Sequence, residues 1–374
     1  MNRTLKFIMK SLPAKMRKQI IILFVFAILN LQGLSQDTKA DFSAVDLFWP
    51  IVDKLKSDID PSEDEWNKIL ATPYYKHYSY ASEKRRNGIK EFIMTAFMPG
   101  RKNRLDSIIN GPDDDYRKAM YLHIIQAEKE KAELQLYQKR LLESKFMDSL
   151  ATIAQLYLPK GTIMRVKRPN VIFGFYQPDA NGGITGIILD LKFSKDIYNF
   201  TLMAAHEVHH YYVEHIRRKM ARDENDPADG LINAVIQLQF EGIADQIDKE
   251  NMLATGAKGI PPFLYNLFRT HYENPVQNLV KVDSLLKIVY HNPETVKSNG
   301  ELIRELLPLG CHPHGYYMSQ IIKTVYGTRE LISTVYNPFD FIRLYNKAAQ
   351  KKGVFSFSRE ALACLDKLEK TVMQ

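Results

Sequence analysis

Cysteine is almost missing from this 374-residue chain, which has only Cys311 and Cys364. Two thiols do not make a disulfide scaffold, so an ordinary apolar core must hold the fold. The pair can bond to each other in an oxidising compartment or lie buried and reduced. Internal repeats and disorder-prone tracts are lacking as well. A content of 45% hydrophobic and 25% charged residues is globular material, enough for one large or two modest domains. The apolar run from Ile20 to Leu31 is too short for a comfortable membrane span.

Excess positive charge is also lacking, despite a formal net charge of +8. Arg3, Lys6, Lys10, Lys15, Arg17 and Lys18 fall within residues 1–35, which hold no acid, and without them the balance drops to +2. That leaves no argument for nucleic-acid binding. The six cations instead precede Ile20–Leu31, and Gly33-Leu34-Ser35 then offers small residues where a signal peptidase inspects the chain. Residues 1–35 therefore read as a signal peptide whose removal leaves Gln36 first, with an uncleaved anchor helix as the alternative. Met16 would give a tidier start. The absence of a cysteine near the cleavage point argues against a lipid anchor. The expected destination is secreted or periplasmic, without stable membrane insertion after cleavage.

From residue 36 to 158 the pattern is helical. Ser62 and Glu65 form a capping box before Trp66, Ile69 and Leu70, and Pro73 stops that helix. Asp113-Asp114-Asp115 reads as a helix start. Tyr116 to Leu158 reads as two helices or one bent one, a layer flanking a catalytic unit. The pattern changes at Pro159-Lys160-Gly161. Thr162–Val166, Val171–Tyr176 and Ile184–Leu191 are β-type runs, and Pro178 to Gly183 are turn formers, so a small sheet with a hairpin is expected. An exposed edge strand there can pair with an extended peptide, or the sheet can be purely structural. Ser194 is the expected cap of the next helix.

That helix carries His206-Glu207-Val208-His209-His210, an H-E-x-x-H pattern. Positions i and i+4 share a helix face, so His206 and His210 can present two imidazoles to one metal ion. Zinc accepts such ligands and lowers the pKa of a bound water, and Glu207, one residue on, can take that water's proton. His209 and His215 point elsewhere. A third ligand is expected at Glu241, which follows the apolar run Leu231–Phe240, where a charged side chain is expensive unless it is paired or binds metal. A salt bridge is the alternative. Asp245, at i+4, can accept the N–H of a ligand histidine, and Gly242 removes a side chain where two helices come close.

H-E-x-x-H followed on a second helix by E-x-x-x-D resembles the gluzincin zinc metallopeptidases. The E-G-I-A-D form, the export signal and the helical flanks more specifically resemble a family of secreted bacterial zinc-dependent peptidases. The resemblance covers roughly residues 162–325 and departs from thermolysin-like enzymes in a longer gap of 31 positions between His210 and Glu241. It implies Zn²⁺ held by His206, His210 and Glu241, Glu207 as general base, Asp245 behind the ligands, and a downstream Tyr or His to steady the oxyanion. Candidates for that donor are His314, Tyr316 and Tyr317, on a loop entering a helix Tyr317–Tyr326; His312 with His314 could also suggest a second metal site.

The expected fold is α+β and predominantly helical: a helical region at 36–158, then a zincin-like catalytic domain at 159–374 with a downstream helical subdomain. The expected partner is a peptide or protein substrate. The alternatives are an exported zinc-binding or scaffold protein without turnover, and a helical structural protein whose histidines meet by chance.

Overall fold

The Asp41 carboxylate accepts the Ser43 N–H at 2.8 Å and turns the two-residue strand β1 (Ala40–Asp41) into α1 (Ser43–Lys56). The computed structural model describes residues 40–373 except 81, 114, 198, 221–224 and 257–261, and only the backbone of 263 and 264. The expected signal peptide, residues 1–35, lies outside the described residues. Val45, Phe48, Val52 and Leu55 recur at helical spacing along α1 and are fully buried.

The capping box at α2 (Glu63–Leu70) forms as expected: Ser62 Oγ accepts from Glu65 N–H, and Glu65 Oε2 accepts from Ser62 N–H. Pro73 then opens α3 (Pro73–Ser79), since its missing N–H costs nothing at a helix start. After α4 (Glu83–Phe97) and α5 (Lys102–Ile109), Asp115 caps the next helix by accepting from Arg117 N–H. The stretch expected as one or two helices is three, namely α6 (Tyr116–Lys129), α7 (Lys131–Glu143) and α8 (Phe146–Ala154).

Thr162–Val166 is not a strand. Gly161 turns the chain with φ 80°, Thr162 Oγ1 donates to Pro159 O at 2.7 Å, and residues Thr162–Arg165 form the short helix α9. Local turn bonding here outweighs a β propensity that has no strand to pair with. The sheet is built from β1, β2 (Val171–Gly174), β3 (Ala180–Gly183) and β4 (Gly186–Asp190) in the order β1-β2-β4-β3. The first three in that order are parallel, and β3 returns antiparallel with Ala180 opposite Leu189. Asn181, Gly182 and Gly183, expected as turn residues, thus form the edge strand. β2 and β4 are buried throughout, which explains their unbroken apolar runs.

Asp190, fully buried, caps α10 (Leu191–Asp196) through Phe193 N–H at 2.9 Å and meets His123 Nε2 of α6 at 2.8 Å. Ser194 lies inside α10, donating to Asp190 O, and does not cap the following helix. That helix, α11 (Phe200–Ile216), starts after Asn199, whose φ is 55°. The long α12 (Asp229–Thr255) follows. Then come α13 (Pro262–Glu273), α14 (Val276–His291), α15 (Val296–Leu306), α16 (His312–Tyr326), α17 (Thr328–Ser333), α18 (Pro338–Lys352) and α19 (Arg359–Val372).

The protein is a predominantly helical α+β fold with one small mixed sheet. The apolar core runs without interruption from α1 through the sheet to α11, α12 and the last helices. α12 packs on α11, α15, α16 and α18 and so connects the motif helix to the downstream part. Cys311 and Cys364 are both buried and free. Among the described residues no helix is long and apolar enough to cross a membrane.

Candidate metal centre

The H-E-x-x-H face of α11 turns inward, so its polar side chains are buried and need partners. They find them on α12. Glu241 Oε2 lies 2.9 Å from His210 Nε2 and 3.3 Å from His206 Nε2. The three atoms fall within 4.8 Å of one another. Ligands of a tetrahedral zinc, about 2.1 Å from the ion, stand roughly 3.4 Å apart. Two imidazole nitrogens and a carboxylate oxygen at this spacing could hold a divalent metal. Phe240 stacks on the His210 ring at 4.0 Å and fixes its plane.

Behind the trio lies a layer of carboxylates. His206 Nδ1 is 3.0 Å from Asp248 Oδ1 and 3.6 Å from Asp245 Oδ1. Asp248 is thus the nearer acceptor for His206, a role expected of Asp245. Asp245 is closest instead to His312, with Nδ1 to Oδ1 at 2.8 Å, and accepts from Tyr272 OH at 3.1 Å. Lys249 joins the two acids, its Nζ 2.8 Å from Asp248 and 3.3 Å from Asp245. Burial opposes the Lys249 charge, but Asp248 and Asp245 outweigh it and hold the ammonium above its usual range. Carboxylate acceptors of this kind fix the tautomer and raise the basicity of the imidazole they touch.

The downstream helix supplies the largest departure from expectation. α16 begins at His312 and not at Tyr317, because Pro313 suits a first helical turn and Cys311, with φ 70°, reverses the chain before it. His312 is thereby placed in the cluster, its Nε2 3.3 Å from Glu241 Oε2. His314 faces the opposite way: it is fully buried, neither ring nitrogen has a hydrogen-bond partner among the described residues, and burial lowers it to about 4. Tyr316 packs on Tyr272, and Tyr317 packs towards Tyr345. The trio His206, Asp245 and His312 also lies within 4.8 Å, but Asp245 is already engaged by His312, Tyr272 and Lys249.

Gly242 and Gly315 let α16 approach this closely. A Cβ on Gly242 would sit 2.4 Å from Gly315 O, and one on Gly315 would sit 2.3 Å from Leu238 O. The close helix of Gly242 is therefore α16. A third glycine contact joins the sheet to α11, where a Cβ on Gly182 of β3 would lie 2.2 Å from Glu207 O.

Glu207 is 8% exposed and lines a cavity of about 160 Å³ together with His206, Asp179, Lys249 and His312. Burial pushes its carboxyl up to about 8; Glu241 and Asp179 add to the rise, while His206 and Lys249 oppose it. The apolar wall of the cavity comes from Phe193, Ile197, Leu202, Met203, Met252 and Phe268. His209 is turned away, its Nε2 3.1 Å from Tyr157 O, and burial lowers it to about 3. His215 meets the Tyr211 carbonyl. Asp248, Lys249 and His312 were not singled out from the sequence as parts of this cluster. The i+7 spacing of Asp248 from Glu241 was the available signal for the first.

No curated protein and no solved structure matches the chain. A family pattern does, over residues 66–354, and it takes in the helical layer from α2 onward as well as the cluster. Two helices that converge two imidazoles and a carboxylate on one point agree with its description: the chain belongs to the family described as "putative zinc dependent peptidase (DUF5700)".

Proposed function

We propose that the protein is an exported zinc peptidase of gluzincin type, with His206, His210 and Glu241 as the metal ligands. The observation that carries this reading is the Glu241 carboxylate on α12, within 3.3 Å of the Nε2 atoms of both motif histidines. Asp248 and Asp245 orient the imidazoles in front of them. Zinc bound there would lower the pKa of water and polarise the scissile carbonyl, and its charge would draw Glu207 from about 8 towards the range where a carboxylate accepts a proton.

Glu207 takes the proton of the attacking water and later delivers it to the leaving amine. Burial opposes the His312 charge, but Asp245 and Glu241 outweigh it and raise the pKa, so the ring carries a proton on each nitrogen. Nδ1 donates to Asp245, and Nε2, directed into the cluster, donates to the developing oxyanion. This assigns to His312 the part for which the sequence offered His314, Tyr316 and Tyr317. The outer edge of β3, unpaired by any strand among the described residues, aligns extended substrate by main-chain hydrogen bonds. Export rests on the charge and apolar pattern of residues 1–35.

Elemental analysis of the purified protein should give one zinc per chain. The Glu207→Gln variant should keep that zinc and lose hydrolysis of a proteome-derived peptide mixture by roughly 10²–10⁴-fold, the usual weight of a general base. Full activity in the variant, or zinc-loaded wild-type protein that cuts nothing in the mixture, would sink the reading; the second outcome would favour a zinc-binding scaffold.

A further inference from the structure

The strand β3 has two faces. Alternation along a strand sends neighbouring side chains to opposite sides, and here Ala180 faces the cavity of Glu207 while Asn181 faces a second, open groove of about 620 Å³. Asp179, just before the strand, borders both. The far wall of the groove is made by the end of α3 and the start of α4, from the helical layer that the cluster itself does not use.

That wall is cationic and aromatic. Lys84 and Arg85 are exposed and have no carboxylate partner among the described residues, whereas Lys90 further along α4 is paired with Glu63. Arg85 stacks over Tyr80, its guanidinium carbon 4.6 Å from the ring centroid. Tyr80 is 68% exposed and ends α3 at φ 45°, a conformation that bulky residues adopt only at a cost. The catalytic cavity, by contrast, sets Asp179, Glu207 and Asp248 beside Lys249, whose ammonium pairs with Asp248. Among the described residues lining the two sides of β3, the cations without a carboxylate partner are thus Lys84 and Arg85 of the groove.

We infer that the Lys84–Arg85–Tyr80 groove is a substrate subsite selecting peptides with acidic side chains near the cleaved bond. This rests on the peptidase reading above. A peptide paired along the free edge of β3 alternates its side chains as the strand does. Residues on one parity face the metal cluster; those on the other face Lys84 and Arg85, where Asp or Glu finds unpaired cations and the Tyr80 ring.

The test uses the zinc-loaded Glu207→Gln protein and two fluorescein-labelled decapeptides on an alanine background, one with three glutamates and one with three lysines. Fluorescence anisotropy should show the acidic peptide binding about fivefold tighter, as two exposed ion pairs allow, with the difference shrinking as salt rises. The added K84A/R85A substitutions should remove the preference; K351A/K352A, at the end of α18, should not. Stripping zinc with a chelator should weaken the acidic peptide, because its chain crosses both sites. Equal affinity for the two peptides, a preference that survives K84A/R85A, or binding indifferent to zinc would each overturn the subsite. Wild-type protein that cuts peptides without an acid preference overturns the subsite alone. An acid preference lost in K84A/R85A, in a protein that cuts nothing, supports the groove and counts against the peptidase reading only.

Discussion

His312 and Asp245 stand 67 positions apart, yet His312 Nδ1 lies 2.8 Å from Asp245 Oδ1 with its other nitrogen 3.3 Å from Glu241. Asp245 lies one helical turn after Glu241 on α12, and His312 occupies the first turn of α16. The pair thus aims an imidazole from the downstream helices at the oxygen that would bind metal.

Replacing His312 by alanine should separate oxyanion stabilisation from metal binding. The expected loss in kcat/KM is about 10²–10³-fold, the weight of one oxyanion donor. Zinc content measured by elemental analysis should stay at the wild-type level. Loss of the metal together with activity would instead make His312 a ligand.

The α12–α16 crossing should be intolerant of a single methyl group. In Gly242→Ala the new Cβ meets backbone of Gly315 at 2.4 Å, and neither helix can yield by moving a side chain. A cost of about 1–3 kcal/mol is expected from overpacking, read as a lowered Tm, together with reduced activity because His312 rides on the displaced helix. Gly88, mid-helix in α4 with nothing within 4 Å of its Cβ position, is the contrasting site. Gly88→Ala should stabilise by about 0.5–1 kcal/mol.

Acid stability should depend on Glu130. It sits at the break between α6 and α7, with its carboxylate 2.7 Å from Lys195 Nζ and 2.8 Å from Gln126 Nε2. Burial raises its pKa, but the bonds from Lys195 and Gln126 outweigh burial and hold it at about 2, below the ordinary 4.5. A folded-state value below the unfolded one means that stability is present above the unfolded value and is lost as pH falls towards the folded one. Thermal melts of the wild type should therefore decline more steeply between about pH 5 and pH 2 than those of Glu130→Gln. Parallel curves would remove Glu130 from the acid response.

Much of the site was legible because it is local. His206 and His210 share a helix face by spacing alone, and Glu241 announces itself as a charge closing an apolar helical run. The capping box at Ser62 and Glu65 is a four-residue motif and forms as read. Where propensity was the only guide it misled: Thr162–Val166 reads as strand but folds as a turn of helix, and Asn181-Gly182-Gly183 reads as turn but pairs as β3.

Sequence by itself determined the helical character, the placing of His206 and His210 on one helix face and the gathering of six cations ahead of a nearly neutral remainder, since each depends on composition or on spacing within one element. Tertiary structure alone decided that Asp248 reaches His206 while Asp245 turns to His312, and that Lys249 bridges the two acids. His206 meets Asp248 where α12 packs on α11, and His312 meets Asp245 where α12 crosses α16. The crossing is set by Gly242 against Gly315, a contact between residues 73 positions apart that no local pattern encodes.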